Sequence, residues 1–115
     1  MRFSIENQDN IVIFRLKNKN VNSEVSAALK AEVLIVCQPV LRGMVLDLTD
    51  VELMDSAGLG AILLAYRQLN ENNIPMMLVG VQEYVYKIME ISQINGLFDF
   101  FDTVQEAIEC IETEY

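Results

Sequence analysis

Two short, nearly continuous apolar segments constrain the fold of this chain more than any other feature. They are GMVLDL at residues 43–48 and MMLVG at residues 76–80. Strands of this kind are typical of mainly parallel sheets, in which both faces are covered by other elements. A segment with helical spacing of its apolar residues, from about Ser56 to Asn72, lies between them. This order of strand, helix and strand predicts an α/β fold with parallel inner strands and helices packed on the sheet.

The N-terminal part of the chain predicts a hairpin followed by a helix. Apolar and polar residues alternate at the start, and Asp9-Asn10 is a turn signal before the apolar segment 10–16. From Asn22 onward the apolar spacing becomes helical, with Asn22 or Ser23 as the N-cap of the helix.

The C-terminal part predicts two further helices and a short strand. One helix covers roughly residues 82–92, and LFDFF at 97–101 is a candidate edge strand. Asp102 or Thr103 caps a last helix. Together the elements predict a single domain over residues 1–115, with a mixed sheet of about four to five strands and about four helices packed on it.

Charge and the absence of histidine exclude several function classes. The chain has 17 acidic and 8 basic residues, a net charge of −9, which repels nucleic acid and anionic membranes and favours a protein partner. Without histidine, Ser-His-Asp and Cys-His catalysis and most zinc or iron sites are excluded. Cys37 and Cys110 lie far apart among apolar residues, as reduced core cysteines do. We therefore predict no catalytic, cofactor-binding or metal-binding residue.

The start of the chain and its longest apolar stretch predict a cytoplasmic location. The first ten residues are polar and alternating, unlike a secretory signal. The stretch that begins at Val33 is interrupted by polar and charged residues, so it cannot span a bilayer. An acidic single domain with a polar partner surface is predicted to be a monomer when free.

The candidate functional site is MDSAGLG, residues 54–60, at the junction of strand and helix. A nucleophilic Ser56 would lack a histidine base and the G-x-S-x-G pattern, and a phosphate-binding loop would lack its lysine or third glycine. Asp55 or Ser56 can cap the helix, and the glycines can let it pack close to the sheet. Phosphorylation of Ser56 uses all these features, because a helix N-terminus tolerates the added charge of about −1.5 to −2.

Residues 45–69, VLDLTDVELMDSAGLGAILLAYRQL, resemble the centre of the STAS family, the sulfate-transporter and anti-sigma-factor-antagonist domain. The shared pattern is a V-L-D-L strand, a short acidic loop and D-S-S-G-L-G or D-S-T-G-L-G opening a helix, and single-domain bacterial anti-sigma factor antagonists are most similar. The resemblance implies that Ser56 is phosphorylated by an anti-sigma factor that is a serine kinase of the histidine-kinase-like ATPase class. The unmodified chain would bind that kinase and free a sigma factor, and a PP2C-type phosphatase would remove the phosphate.

The resemblance also implies which residues meet the partner. They lie before the first helix and in the motif that opens the second: Asn22, Ser23, Asp55, Ser56, Ala57, Gly58, Leu59 and Gly60. Two positions depart from the family pattern. Ala57 replaces the second hydroxyl residue, which leaves Ser56 as the only acceptor in the motif. Asn22 stands where an aspartate is common, so it can cap the helix but lacks a charge expected to engage the partner.

A second hypothesis is a non-enzymatic STAS subunit of a membrane transport complex, such as a lipid-transport ATPase. It predicts stable co-purification with a transporter and indifference to Ser56→Ala. Neither hypothesis makes the chain an enzyme.

Overall fold

A computed structural model describes residues 1–115 as seven strands, four α-helices and one short 3-10 helix. The strands are β1 (Phe3–Gln8), β2 (Ile11–Leu16), β3 (Asn20–Val21), β4 (Gly43–Asp47), β5 (Leu53–Met54), β6 (Met76–Val79) and β7 (Asp99–Phe101). The helices are α1 (Ser23–Val36), α2 (Ser56–Asn70), α3 (Glu83–Ile91) and α4 (Val104–Glu114), and the 3-10 helix is Asn95–Leu97.

The main sheet has five strands in the order β1-β2-β4-β6-β7. Strands β1 and β2 form an antiparallel hairpin, and the other neighbouring pairs are parallel. Asp9 and Asn10 turn the hairpin with φ values of 54° and 67°, a left-handed conformation that these two residue types tolerate. The predicted α/β fold, with its mixed sheet and four helices, is confirmed.

Helices cover both faces of this sheet, which explains the continuous apolar segments. Along β4, Met44 and Leu46 enter the larger core under α1, α2 and α3, whereas Val45 enters the smaller core under α4. Successive side chains of a strand point to opposite faces, so a strand between two cores needs an apolar residue at every position. In the smaller core, Ala107 and Ile111 of α4 are buried, and Val104 is only half-buried at its margin.

Helix α2 ends at Asn70 rather than at Asn72, two residues earlier than the apolar spacing predicts. Asn73 adopts a left-handed φ of 56°, and the N–H of Ile74 returns to the carbonyl of Leu69 at 3.0 Å. A left-handed residue followed by a bond back to the last turn is a standard way of closing a helix, and it satisfies a carbonyl that would otherwise lack a partner.

A second sheet, which the sequence does not predict, consists of only β3 and β5. These two strands are parallel and pair Asn20 with Leu53 and Val21 with Met54. Val21 and Met54 are buried in the larger core, which anchors the pair to the domain. Since β3 leads directly into α1 and β5 into α2, this pairing places the beginnings of the two helices side by side.

Candidate functional site

Asp55 fixes the beginning of α2. It is the N-cap in extended conformation, and its Oδ1 accepts a hydrogen bond from the N–H of Gly58 at 3.0 Å. The backbone carbonyl of Asp55 accepts from Leu59 at 3.1 Å, as an N-cap carbonyl should. The sequence left Asp55 and Ser56 as alternative caps, and the structure assigns the cap to Asp55. Ser56 is consequently the first helical residue.

Asn22 has the same role at the beginning of α1. Its Oδ1 accepts from the N–H groups of Glu24 and Val25 at 3.1 and 3.2 Å. Asn22 rather than Ser23 is therefore the N-cap, and Ser23 is the first residue of the helix. An asparagine caps a helix about as well as an aspartate does, so the missing charge at position 22 leaves the local structure intact.

The two capped helix starts form one surface, which we call the junction and define as Asn22–Ser23 together with Asp55–Gly60. The N–H of Asp55 donates to the carbonyl of Val21 at 3.2 Å, directly beyond the last pair of the β3–β5 sheet. Both helices start from this edge and pack against each other. Each helix N-terminus carries a partial positive charge, so the junction combines two of them.

Ser56 is exposed at the junction. Its hydroxyl has no hydrogen-bond partner within the chain, because the capping bond to Gly58 is made by Asp55. The N–H groups of Ser56 and Ala57 also lack an acceptor, as expected in the first turn of a helix. An anion attached to Ser56 would therefore meet free donors and a favourable helix dipole.

The two glycines of the motif differ in their surroundings. A Cβ at Gly58 would lie 2.6 Å from Cγ of Met54 and 3.0 Å from the carbonyl oxygen of Val21, so the close approach of α2 to the β3–β5 sheet requires glycine there. A Cβ at Gly60 would meet nothing within 4 Å. Close packing within the domain thus explains Gly58 but gives no reason for Gly60, which costs about 1 kcal/mol of helix stability relative to alanine.

Residues 2–107 match the family model of the STAS domain. The chain belongs to the STAS family. It is 31% identical over 107 residues to the anti-sigma-B factor antagonist of Listeria monocytogenes, and the match covers 86% of this chain and 89% of that protein.

Solved STAS structures share the whole fold. The anti-sigma factor antagonist SpoIIAA in its unphosphorylated form has a TM-score of 0.83 at 19% identity, covering 96% of each chain. The Bacillus cell fate determinant SpoIIAA in its phosphorylated form has a TM-score of 0.76 at 20% identity, covering 96% of this chain and 99% of that one. The Listeria relative and the unphosphorylated SpoIIAA are thus both anti-sigma factor antagonists.

The junction of this STAS domain has an exposed side and a buried side. Asn22, Ser23, Asp55 and Ser56 are exposed, whereas Ala57 and Gly60 are half-buried. Gly58 and Leu59 are buried, and Leu59 packs in the larger core with only 5% of its surface exposed. The structure therefore brings all eight predicted residues together. Leu59 packs between α2 and the core and does not face outward.

Leu53 extends the junction by a residue that the motif does not contain. It lies on β5 three positions before Ser56, and 48% of its surface is exposed. Its neighbour Met54 is buried, so the two-residue strand alone sets which of the two apolar side chains faces outward. The sequence carries no signal for this, because a single apolar pair has no periodicity.

Other reactive groups lie outside the junction. Burial raises the pKa of the Cys37 thiol to about 11, so even less of it is ionised at neutral pH than of an ordinary thiol. No group of three or more His, Cys, Asp or Glu side chains is arranged to hold a metal ion. None of the helices combines the length and the apolar character that crossing a membrane requires.

Proposed function

We propose that this STAS domain is an anti-sigma factor antagonist that works as a phosphorylation-controlled partner switch. The unmodified chain binds an anti-sigma factor that is also a serine kinase of the histidine-kinase-like ATPase class, and thereby frees a sigma factor. Phosphorylation of Ser56 ends the binding, and a PP2C-type phosphatase restores it. Ser56 supports this proposal best, because its exposed, unpartnered hydroxyl lies where two helix N-termini meet.

A phosphate on Ser56 is compatible with the fold. The two unpaired N–H groups of the first turn can donate to it, and the dipole of α2 contributes about 0.3–1 kcal/mol in its favour. Because Asp55 already makes the capping bond to Gly58, the added phosphate displaces no existing bond of the hydroxyl. We therefore expect the modified chain to stay folded and to change only what its surface can bind.

The required effect on binding is large. Turning binding from mostly on to mostly off takes roughly 10⁴-fold, or about 5.5 kcal/mol. A charge of about −2 driven into a desolvated interface costs several kcal/mol. Gly60 supports direct contact between the partner and α2. Glycine lowers the stability of the helix there, and the open space beside it lets another backbone approach closely.

The kinase supplies ATP and Mg²⁺ in this scheme, so the STAS domain contributes a substrate serine and a binding surface and needs no cofactor. It acts without catalysis of its own, and we propose that it is a monomer when free.

A pull-down from the lysate of the native organism, identified by mass spectrometry, tests the switch. Three tagged chains are compared: wild type, Ser56→Glu and the control Ser92→Glu. Ser92 is exposed at the end of α3, so the control adds the same charge outside the junction. Wild type and the control should capture a histidine-kinase-like ATPase, and Ser56→Glu should lose it.

Two results would contradict the proposal. Equal capture of the kinase by all three chains would show that position 56 is no switch. Capture of membrane-transport subunits by all three would favour the structural-subunit hypothesis instead. Incubation of the captured kinase with ATP and either wild type or Ser56→Ala then identifies the acceptor, because only wild type should gain the mass of a phosphate.

A further inference from the structure

A polar groove of about 510 Å³ opens at the carboxyl ends of β2 and β4. Its eight lining residues include no hydrophobic one. Arg2, Lys17 and Lys19 supply three positive charges, and Asp50 and Glu52 supply two negative ones. We call this surface the basic groove.

The concentration of positive charge in the basic groove is unusual for this chain. The protein has only 8 basic residues against 17 acidic ones, yet three of the basic residues line this one groove. Arg15 and Arg42 form ion pairs with carboxylates, but Arg2, Lys17 and Lys19 form none, even with Asp50 and Glu52 nearby. Three positive charges against two negative ones leave the groove with an excess of positive charge that favours an anionic ligand, and the absence of hydrophobic residues from its lining favours a polar one.

The backbone on which these charges are mounted is well fixed. The N–H of Lys17 donates to the carbonyl of Arg2 at 2.8 Å, and the N–H of Arg2 donates to Oδ1 of Asn18 at 2.7 Å. On the β4 side, Nε2 of Gln82 donates to the carbonyl of Thr49 at 2.8 Å. The groove is therefore a preformed surface rather than a flexible tail, so binding a ligand there costs little conformational entropy.

The basic groove is continuous with the junction. The carbonyl of Lys19 accepts from the N–H groups of Glu52 and Leu53 at 2.8 and 2.9 Å. The next residues are the paired strands β3 and β5, which lead directly to Asn22 and Asp55. A protein that covers Ser56 thus reaches the groove along the β3–β5 sheet.

We propose that the basic groove receives an acidic segment of the same partner kinase, an inference that rests on the proposed function. The carboxylates of this segment lie against Arg2, Lys17 and Lys19. Asp50 and Glu52 repel these carboxylates, so binding orientations that bring the segment close to Asp50 and Glu52 are disfavoured. The groove therefore sets the orientation in which the kinase meets Ser56. Exposed charges act mainly on the rate of encounter, so the groove speeds association, and the phosphate on Ser56 acts on the close contact that follows.

Association kinetics with the kinase captured by the wild-type chain test this inference. The groove variant is Lys17→Gln with Lys19→Gln, and the control variant is Lys30→Gln with Arg67→Gln on the exposed faces of α1 and α2. Both variants remove two positive charges, so steering by net charge changes equally. The groove variant should associate about fivefold more slowly at low salt, and the difference should shrink at high ionic strength. The control should change less than about twofold.

Carbodiimide cross-linking of the same complex identifies the occupant. This reagent joins a lysine amine to a carboxylate in direct contact, so Lys17 or Lys19 should be linked to Asp or Glu residues of one kinase segment. Lys30 should not be linked.

The outcomes separate the two proposals. If the groove and control variants associate at the same rate while Ser56→Glu still blocks binding, the groove inference is wrong and the switch stands. Links from Lys17 and Lys19 to no kinase carboxylate would equally overturn the groove inference. If the wild-type chain binds no kinase at all, both proposals fail together.

Discussion

The two glycines of the junction offer a sharp test of the structure, because one added methyl group should have opposite effects at positions two residues apart. In Gly58→Ala the new Cβ would lie 2.6 Å from Cγ of Met54 and 3.0 Å from the carbonyl oxygen of Val21. Overpacking of this kind costs about 1–3 kcal/mol. The higher helix propensity of alanine offsets at most about 1 kcal/mol of this cost, so we expect the free energy of unfolding to fall by about 1 kcal/mol.

In Gly60→Ala the methyl group meets no atom within 4 Å, so only the propensity term remains. We expect this variant to be more stable than wild type by about 0.5–1 kcal/mol. The two variants should therefore differ by about 2 kcal/mol, which corresponds to a separation of roughly 8 °C in Tm for a domain of this size.

Urea unfolding followed by far-ultraviolet circular dichroism measures the difference, since the chain has no tryptophan. The slope of the free energy of unfolding against urea should be unchanged in both variants, which shows that the midpoint shift reports stability. Equal loss of stability in both variants would contradict the open space at Gly60. A stabilised Gly58→Ala would contradict the close approach of α2 to the β3–β5 sheet.

Three further predictions concern Gly60, Asp55 and Cys37. Gly60→Ala should bind the captured kinase at least about tenfold more weakly despite its higher stability, because the methyl fills space that the partner needs. Calorimetric titration measures the affinity, and an unchanged affinity would mean that the partner binds elsewhere. Asp55→Ala should lower the free energy of unfolding by about 0.5–2 kcal/mol through loss of the bond to Gly58, whereas Asp55→Asn keeps an acceptor and should lose much less in the same urea assay. Burial raises the Cys37 pKa from 9.0 to about 11, so the thiol of the unfolded chain loses its proton at a lower pH than the thiol of the folded chain. The free energy of unfolding should therefore fall as the pH rises from about 9 to 11. Cys37→Ala should reduce this fall when the free energy of unfolding is measured against pH.

The sequence predicts the fold well wherever a segment is long enough to show a period. The apolar segments at 43–48 and 76–80 became β4 and β6, and α2 was expected from its spacing. The sequence could not predict the β3–β5 sheet, because its four residues pair across more than thirty positions and show no pattern of their own.

The candidate site was predicted as a set of residues but not as an arrangement. The motif identifies Asp55 to Gly60, and helix-capping preferences identify Asn22 or Ser23. Only the register of β3 against β5 shows that the two helix starts are neighbours. The contrast between Gly58 and Gly60 is likewise invisible in the motif, since it depends on whether Met54 and Val21 lie against the added Cβ.

Because the junction depends on the pairing of Val21 with Met54, it exists only in folded molecules. This contact closes a loop of about thirty residues, at an entropic cost of about 3 kcal/mol, for a ladder of two residue pairs. So small a ladder does not offset that cost alone, so the pairing depends on the packing of α1 and α2 on the rest of the domain. A chain that has not folded contains the DSAGLG motif and both helix-start sequences but does not hold them side by side. If the partner contacts both helix starts, as proposed, it binds only molecules in which this pairing has formed.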